Sequence, residues 1–438
     1  MTPRNIIQPG LRIGGLALTT ALMAGVAAPA FAGSFYLQEQ SVRGAGRAYS
    51  GEAADRGVGS MWWNPASIAR SSREVSVGLN AIRIDSEVKN AGSYVTYPGG
   101  VDVPVVNPRN TEVDPIESGL VPNFAFATPI GERFAIGVSV AAPYNFTTKY
   151  EAPSFARYDA LTSELRSGDA GLTVAYQVND WLDVGAGVNA QYVKAKLTSA
   201  MPNLSPLLPD ASNSLEGDGW DFGWNVGAQI HNGPWDFGLS YRSKIEHELE
   251  GDVNVAGLLG PLAGANVSTD GKASFNTPWF ASASVRYAVS DKLTLNAQVN
   301  RIGWSEFDAI TVEYTGGGDV IHQDYKDVTT GAIGLDYAIS DKTTLRAGVG
   351  YDPTPTRDSL RTARIPDADR WLFSVGGSTE VTKGVTFDAG LTYIAFSDAT
   401  IHDDRTFYAG TPAAVTSHLR GEAEGSALVA SIGARWAF

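Results

Sequence analysis

Apolar and polar residues alternate along much of this chain, which is the pattern of a β-strand with one apolar face. The clearest run covers residues 220–230, where every second residue from Trp220 to Ile230 is apolar and the intervening residues are small or polar. Runs of this kind predict about 14 strands, each long enough to cross a bilayer obliquely. The predicted strands are residues 74–84, 118–128, 134–142, 168–178, 182–197, 219–231, 234–250, 272–288, 292–314, 326–339, 343–352, 369–381, 385–397 and 422–438.

The connections between these strands alternate between short and long. Tight turn signals occur at residues 340–342 and 382–384, whereas residues 143–167 and 398–421 form long polar connections. Short turns on one side and long loops on the other are typical of outer-membrane barrels. A closed sheet also satisfies every backbone polar group in hydrocarbon. The sequence therefore predicts an all-β fold, a 14-stranded antiparallel transmembrane β-barrel, rather than a soluble sandwich with shorter strands.

The first 32 residues have the features of an export signal. Arg4 and Arg12 precede or open an apolar run over residues 13–26, and the small residues Ala30 and Ala32 follow it. The run is too short for a membrane anchor. We expect cleavage after residue 32, and this places the mature protein outside the cytoplasm.

Composition excludes several kinds of function. The chain has 33 basic against 47 acidic residues, a net charge of −14, whereas a nucleic-acid partner would require a basic surface. It has no cysteine, and its five histidines show neither metal-ligand spacing nor a nucleophile motif. We therefore expect no nucleic-acid partner, no cofactor, no metal and no enzymatic activity. An outer-membrane lipase-like enzyme and a general diffusion porin are the alternatives from other classes.

Residues 33–73 do not show the alternation of barrel wall. They are rich in glycine and small residues, and a barrel of about 14 strands leaves an interior that its own side chains do not fill. We expect these residues to form a plug, or hatch, inside the lumen of a barrel formed by residues 74–438. The Gly44-Ala45-Gly46 stretch is no dinucleotide loop, because Tyr49 stands where a third glycine is needed and no strand precedes it.

A set of short motifs gives the chain a resemblance that extends over the whole mature part. The segments that carry it are Gly44 to Glu52 (GAGRAYSGE), Asn64-Pro65-Ala66, Trp304-Ser305-x-Phe307, Ile365 to Trp371 (IPDADRW) and Trp436-Ala437-Phe438. In this order the set resembles the FadL family of outer-membrane transporters for long-chain fatty acids and other hydrophobic compounds. The resemblance implies a 14-stranded barrel with an N-terminal hatch, capture of substrate outside, transfer to a lumen site and lateral release into the bilayer.

The resemblance also implies roles for particular residues. The mature N-terminus would bring Phe35 and Leu37 against an acyl chain. The family kinks its third strand to open a lateral gap, and the matching segment here is Phe134 to Ser139; Ala135 and Gly137 would face inward there, either at the gap or simply as small lumen residues. The hatch residues that would lie beside this gap are Asn64, Pro65 and Ala66.

Two long loops carry apolar residues that suit capture of an apolar ligand. Leu161 and Leu165 lie in the loop over residues 143–167, and the loop over residues 198–218 contains Leu204, Leu207 and Leu208. Exposed leucines outside a membrane need a reason. In the family the corresponding loops form a groove that takes substrate first; alternatively, the leucines pack on each other as a lid.

A fatty acid carries a carboxylate, which is costly to bury without a cation or hydrogen-bond donors. By resemblance Lys194 is the expected base. A second base is expected near Ile321 and His322, where this chain has no lysine or arginine. That departure leaves open an aromatic or aliphatic hydrocarbon as the ligand. Arg361 is a further candidate, and Arg370 has nearby aspartates with which it can pair.

The remaining expectations concern the setting. No energy-coupling motif is evident, so transport would be passive. The protein would be a monomer in the outer membrane of a Gram-negative bacterium, in contact with outer-membrane lipid and lipopolysaccharide. The terminal aromatic Phe438 resembles the signal that the barrel assembly machinery reads.

Overall fold

The strands of the computed structural model, which describes residues 34–105 and 112–438, pair only in antiparallel fashion and close on themselves. The last strand pairs with the first from Glu74 opposite Ala437 to Asn90 opposite Gly421. The barrel strands are β1 (Glu74–Asn90), β2 (Gly119–Ile130), β3 (Phe134–Ala141 and Asn145–Lys149), β4 (Thr162–Gln177), β5 (Leu182–Met201), β6 (Ala211–Asn232), β7 (Trp235–Arg242 and Ile245–Ala256), β8 (Val267–Thr277 and Trp279–Ala288), β9 (Leu293–Gly303 and Ala309–Tyr314), β10 (Gly317–His322 and Val328–Ala338), β11 (Thr343–Asp352), β12 (Arg370–Thr382), β13 (Val385–Phe396 and Ala399–Phe407) and β14 (Val415–Ala437).

The predicted 14-stranded barrel is confirmed. Several strands are longer than predicted at the end that carries the long loops, since β6 begins at Ala211 and β14 at Val415. Beyond the bilayer both faces of a strand meet water, so the alternation ends while the backbone pairing continues. β9 was predicted as one run but is interrupted by a 3₁₀ turn over Trp304–Glu306.

The outer face of the barrel carries the apolar half of the alternation. Phe222, Ile333 and Ile432 are 62–77% exposed, which in water would make an aggregation surface but in a membrane provides contact with lipid. Tryptophans mark the edges of this band: half-exposed Trp371 lies at the loop end of β12, and Trp436 lies at the turn end of β14. Among the described residues no helix is long and apolar enough to cross a bilayer.

Residues 34–73 lie inside the barrel as the hatch. They contain one short helix, α1 (Val42–Ala45), capped by the Ser41 hydroxyl, which accepts a hydrogen bond from Gly44 N at 3.0 Å. Three 3₁₀ turns follow, over Glu52–Ala54, Val58–Ser60 and Pro65–Ile68. The predicted signal peptide, residues 1–32, and Gly33 lie outside the described residues.

A buried cluster of charges joins the hatch to the wall. Arg47 of the hatch is fully buried and contacts Glu52 at 2.6 Å, Asp55 at 2.5 Å and Asp336 of β10 at 3.0 Å. Asp336 also pairs with Arg346 of β11 at 2.7 Å. Burying charges is tolerable only when each has partners, so this cluster fixes the hatch in one position.

Candidate functional site

An apolar pocket occupies the lumen above the hatch, towards the long loops. Its empty space, including the part open to solvent, is about 890 Å³. A pocket of this size with an apolar lining is suited to a small hydrophobic ligand. The apolar lining includes Phe35, Phe146, Leu165, Leu249, Phe275 and Phe307.

The N-terminal segment of the hatch provides the floor of this pocket. The Phe35 ring lies 4.9 Å from the Trp304 ring and 5.1 Å from the Phe307 ring, measured between centroids. Ser34 N donates to Asp367 Oδ2 at 3.0 Å and ties the segment to the connection between β11 and β12. Burial raises the pKa of Asp367, while nearby Arg370 acts in the opposite direction.

Leu165 and Leu37, two further residues that were predicted to bind the ligand, differ in their relation to the pocket. Leu165 of β4 lines it together with Phe35. Leu37 is fully buried in the same hydrophobic cluster of the lumen but does not line the pocket. The structure therefore brings Phe35 and Leu165 together, with Leu37 packed outside the cavity.

The predicted loop leucines lie above the pocket. Leu161 and Leu204 pack against a second hydrophobic cluster, built from the outer ends of strands and the loops. Leu207 is 92% exposed and Leu208 is 41% exposed. The structure thus separates these four residues from the lumen pocket and leaves Leu207 available on the outside.

Neither predicted base lies in the pocket wall. Lys194 is on the outward side of β5, where its ammonium contacts Glu216 at 2.8 Å, because the buried neighbour Val193 takes the inward position. Arg361 is buried beside the pocket, donating to the Asp367 carbonyl at 2.8 Å and the Thr400 carbonyl at 3.0 Å. It does not line the pocket.

Arg364, which the sequence analysis did not single out, does line the pocket. Its Nη1 donates to Ser163 Oγ at 3.1 Å, and its Nε lies 3.5 Å from Asp159 Oδ1. Burial lowers the pKa of Arg364, and Asp159 only partly opposes this. A buried guanidinium with one distant carboxylate has donors to spare for an anionic ligand. The connection between β11 and β12 contains Arg357, Arg361 and Arg364, and Arg370 follows it at the start of β12; no sequence pattern distinguishes Arg364 from the others.

The wall is not continuously paired between β2 and β3. Their ladder ends at Phe124 opposite Val140, and the strands meet again at a bridge between Ile116 and Thr148. β3 is broken between these points at Pro143, which has no N–H to donate. We call this unpaired stretch, residues 118–123 and 141–146, the window.

The hatch supplies the hydrogen bonds that β2 does not. Leu37 N donates to the Pro143 carbonyl at 2.7 Å, and Asn145 N donates to the Phe35 carbonyl at 3.0 Å. The N-terminal segment therefore pairs with broken β3 from the inside. Phe35, which lines the pocket, therefore also takes part in closing the inner side of the window.

A second cavity, of about 470 Å³ including its open part, lies beside the window. Gln40 and Trp62 of the hatch line it. Its lining also includes Ser139 from the inward register of β3 and two residues of the outward register, Phe124 and Val140. Phe124 and Val140 are the last pair of the β2–β3 ladder, so this cavity reaches the edge of the window. We call it the exit cavity.

The Asn64-Pro65-Ala66 motif fastens the hatch at another part of the wall. Asn64 Oδ1 accepts from Ala66 N at 2.9 Å, and its Nδ2 donates to the Ala53 carbonyl at 2.7 Å and the Ala228 carbonyl of β6 at 3.1 Å. Pro65 packs so closely on Gly185 of β5 that a side chain there would overlap it. These residues contact β5 and β6 rather than the window.

Ala135 and Gly137 face the hatch, as the resemblance implies. Ala135 is fully buried, and a Cβ on Gly137 would overlap Met61 and approach Ile68 to 3.0 Å. The segment Phe134 to Ser139 is paired on both sides. The break lies a few residues further along, at Pro143.

Comparisons with known proteins cover the whole barrel. Residues 23–438 match the family described as outer membrane protein transport protein (OMPP1/FadL/TodX). The chain belongs to this family. The resemblance found in the sequence is thereby confirmed, and the protein is an outer-membrane β-barrel of a Gram-negative bacterium that transports hydrophobic compounds.

Individual relatives agree in length as well as in sequence. The chain is 28% identical to the long-chain fatty acid transport protein of Escherichia coli, over 86% of this chain and 91% of that one. It is 27% identical to outer membrane protein P1 of Haemophilus influenzae, over 93% and 97%. Relatives named as transporters favour the expectation that this family member is not an enzyme.

Solved structures share the fold. A FadL homologue of Pseudomonas aeruginosa superposes with a TM-score of 0.81 at 23% identity, covering 92% of this chain and all of the other. The toluene transporter TbuX of Ralstonia pickettii gives a TM-score of 0.63 at 19% identity, covering 91% and 98%. At these identities the likeness shows the fold alone.

Proposed function

We propose that this family member takes up long-chain fatty acids passively, binding them in the lumen pocket and releasing them sideways through the window. The observation that carries the proposal is one short segment that reaches both features: Phe35 lines the pocket, and the backbone of Phe35 and Leu37 is hydrogen-bonded to broken β3 at the window. A ligand that displaces Phe35 therefore also disturbs the hydrogen bonds to broken β3.

The pocket lining supports a long apolar ligand. Phe275, Leu249 and Leu165 offer apolar surface along its depth, and each buried methylene contributes about 0.8 kcal/mol. An acyl chain gains affinity with length under these conditions. The exposed Leu207 and the loop cluster that holds Leu204 are suited to first capture from outside.

Transport through the window also avoids the buried contact between Arg47 of the hatch and Asp336 of the wall. A direct path to the periplasm would pass the buried cluster around Arg47, Asp55 and Asp336. Those charges are paired with each other, and an apolar chain that separated them could not replace the lost ion pairs. Lateral release delivers the ligand into lipid without passing Arg47 and Asp336.

A hydrocarbon is the second candidate ligand. Ile321 lines the pocket at a position where the resemblance expects a base, so this part of the wall offers no charge to a carboxylate. The proposal also includes the setting of the protein. Residues 33–73 act as the hatch, the protein is a monomer in contact with lipopolysaccharide, and Phe438 directs its assembly into the membrane.

Closing the window with a covalent link tests the route. The chain has no native cysteine, so Pro122→Cys with Ala142→Cys, which continue the β2–β3 register across the window, can be joined by a short bis-maleimide. We expect uptake of labelled palmitate by cells to fall to the level of cells without the protein, because the cross-link holds β2 and β3 together and keeps the window closed.

The matched control is Thr128→Cys with Ile136→Cys, a directly opposed pair in the continuous part of the same two strands. The link there should leave uptake unchanged. Full uptake by the completely linked window pair would show that ligand leaves by another path.

A further inference from the structure

A row of four aromatic rings lies between the lumen pocket and the exit cavity, and we call this row the barrier. Phe35 lines the pocket, and its ring lies 5.8 Å from the ring of Tyr144. Tyr144 lies 5.9 Å from Tyr36, and Tyr36 is stacked at 6.0 Å on Trp62, which lines the exit cavity. A ligand that moves along this row from one cavity to the other passes Tyr144, Tyr36 and Trp62.

The two rings of this row nearest the exit cavity, Tyr36 and Trp62, differ in how they are held. Tyr36 belongs to the N-terminal segment, and its buried hydroxyl has no hydrogen-bond partner among the described residues. Trp62 belongs to the body of the hatch and is clamped by Arg242 of β7: the guanidinium carbon lies 4.7 Å from the ring centroid, and Nη2 donates to the Trp62 carbonyl at 2.9 Å. Cation–π contact and the hydrogen bond both oppose movement of Trp62.

This asymmetry defines a movable side and a fixed side of the barrier. Tyr36 can leave with the N-terminal segment when the hydrogen bonds of Phe35 and Leu37 to β3 break. Trp62 cannot follow without losing Arg242. The opening created by the departure of Tyr36 is therefore bounded by the Trp62 indole.

We propose that Trp62 is a specificity-determining residue for transport: its indole sets the widest ligand cross-section that passes from the pocket to the exit cavity. The proposal rests on the proposed function. Slim unbranched acyl chains pass the indole edge, whereas ligands with fused rings are retained in the pocket. Selection by shape then occurs after binding, at the passage and not in the pocket.

The neighbouring tryptophan provides a matched control. Trp63 is also buried and packs on Trp62 at 5.1 Å, on Phe280 at 5.8 Å and on Tyr49 at 5.9 Å. It does not line the exit cavity. The two residues share type, burial and sequence position but differ in their relation to the passage.

The experiment compares uptake of palmitic acid and of 12-(1-pyrenyl)dodecanoic acid by cells that carry the full-length protein. The two probes share the carboxylate and a long chain but differ in cross-section. We expect Trp62→Ala to raise the pyrenyl-to-palmitate uptake ratio about tenfold, the size of effect that steric selection by an apolar site provides. Trp62→Phe should give an intermediate ratio, and Trp63→Ala should leave the ratio at the wild-type value.

The outcomes separate this inference from the function on which it rests. Each variant is first checked for the heat-dependent gel shift of a folded barrel, and Trp62→Phe, the smaller change, serves if the alanine variant does not fold. Wild-type uptake of palmitate with an unchanged ratio in the Trp62 variants, or an equal change in Trp63→Ala, overturns the role of Trp62. Absence of palmitate uptake by the wild type would instead refute the proposed function.

Discussion

Replacing Arg47 by alanine should turn the plugged barrel into an ion-conducting pore. Arg47 is fully buried and pairs with Glu52, Asp55 and Asp336 at 2.5–3.0 Å. Without it these carboxylates repel each other where water cannot screen them, and removal of one partner of a buried ion pair costs about 3–5 kcal/mol. Arg286 and Arg346 remain near Asp336, and Arg43 and Arg286 remain near Asp55, so the buried carboxylate that loses its cation is Glu52. The direct link from Arg47 to Asp336 is lost as well, and the hatch should detach from the wall for part of the time.

Current through single proteins in planar lipid bilayers measures this effect directly. The matched control is Arg56→Ala, which removes the same type of side chain from the same hatch. The Arg56 side chain is half exposed and pairs with Asp236 at 2.7 Å, and exposed pairs contribute at most about 1 kcal/mol. We expect frequent openings for Arg47→Ala and a closed baseline for Arg56→Ala. Equal baselines in both variants would mean that the buried cluster does not hold the hatch.

The fold could be predicted from the sequence because the membrane restricts which residues can occupy each position of a strand. Lipid on one side and a packed lumen on the other force apolar residues onto every second position, so runs such as residues 220–230 identify strands without knowledge of their partners. The rule ends at the membrane surface. The outer extensions of β6 and β14, and the interruption of β9 at Trp304, depend on contacts with loops and hatch, which no local pattern records.

The candidate site was only partly accessible for the same reason. The alternation of β5 could have predicted that Lys194 points out of the barrel. Val188 and Tyr192 lie on the same face of the strand as Lys194, and Val188 is 59% exposed on the lipid side. Pro143 similarly marks the break in β3. Arg364 has no such signal: its position over the pocket is set by contacts with Asp159 and Ser163, about two hundred residues away in the chain.

Replacing Arg364 by glutamine should weaken binding of long-chain fatty acids about 10- to 100-fold, since a hydrogen bond to a charged group contributes about 1.5–3 kcal/mol. Arg364 borders the apolar pocket and has its Nε at the long distance of 3.5 Å from Asp159. An incoming carboxylate would complete the pairing of the guanidinium. The acyl chain would then extend down the pocket towards Phe35, and the tail, not the headgroup, would reach the window first.

Calorimetric titration of the purified protein in detergent, with palmitate and with methyl palmitate, separates the charge from the chain. The wild type should prefer palmitate, and Arg364→Gln should bind both ligands with similar, weak affinity. Arg364→Lys keeps the charge and should recover part of the preference. Arg361→Gln serves as the matched control, because Arg361 is buried in the same connection but bonds to the carbonyls of Asp367 and Thr400 and does not border the pocket. If Arg364→Gln retains the wild-type preference for palmitate, the carboxylate is bound elsewhere or the natural ligand carries none, and a hydrocarbon becomes the better assignment for this pocket.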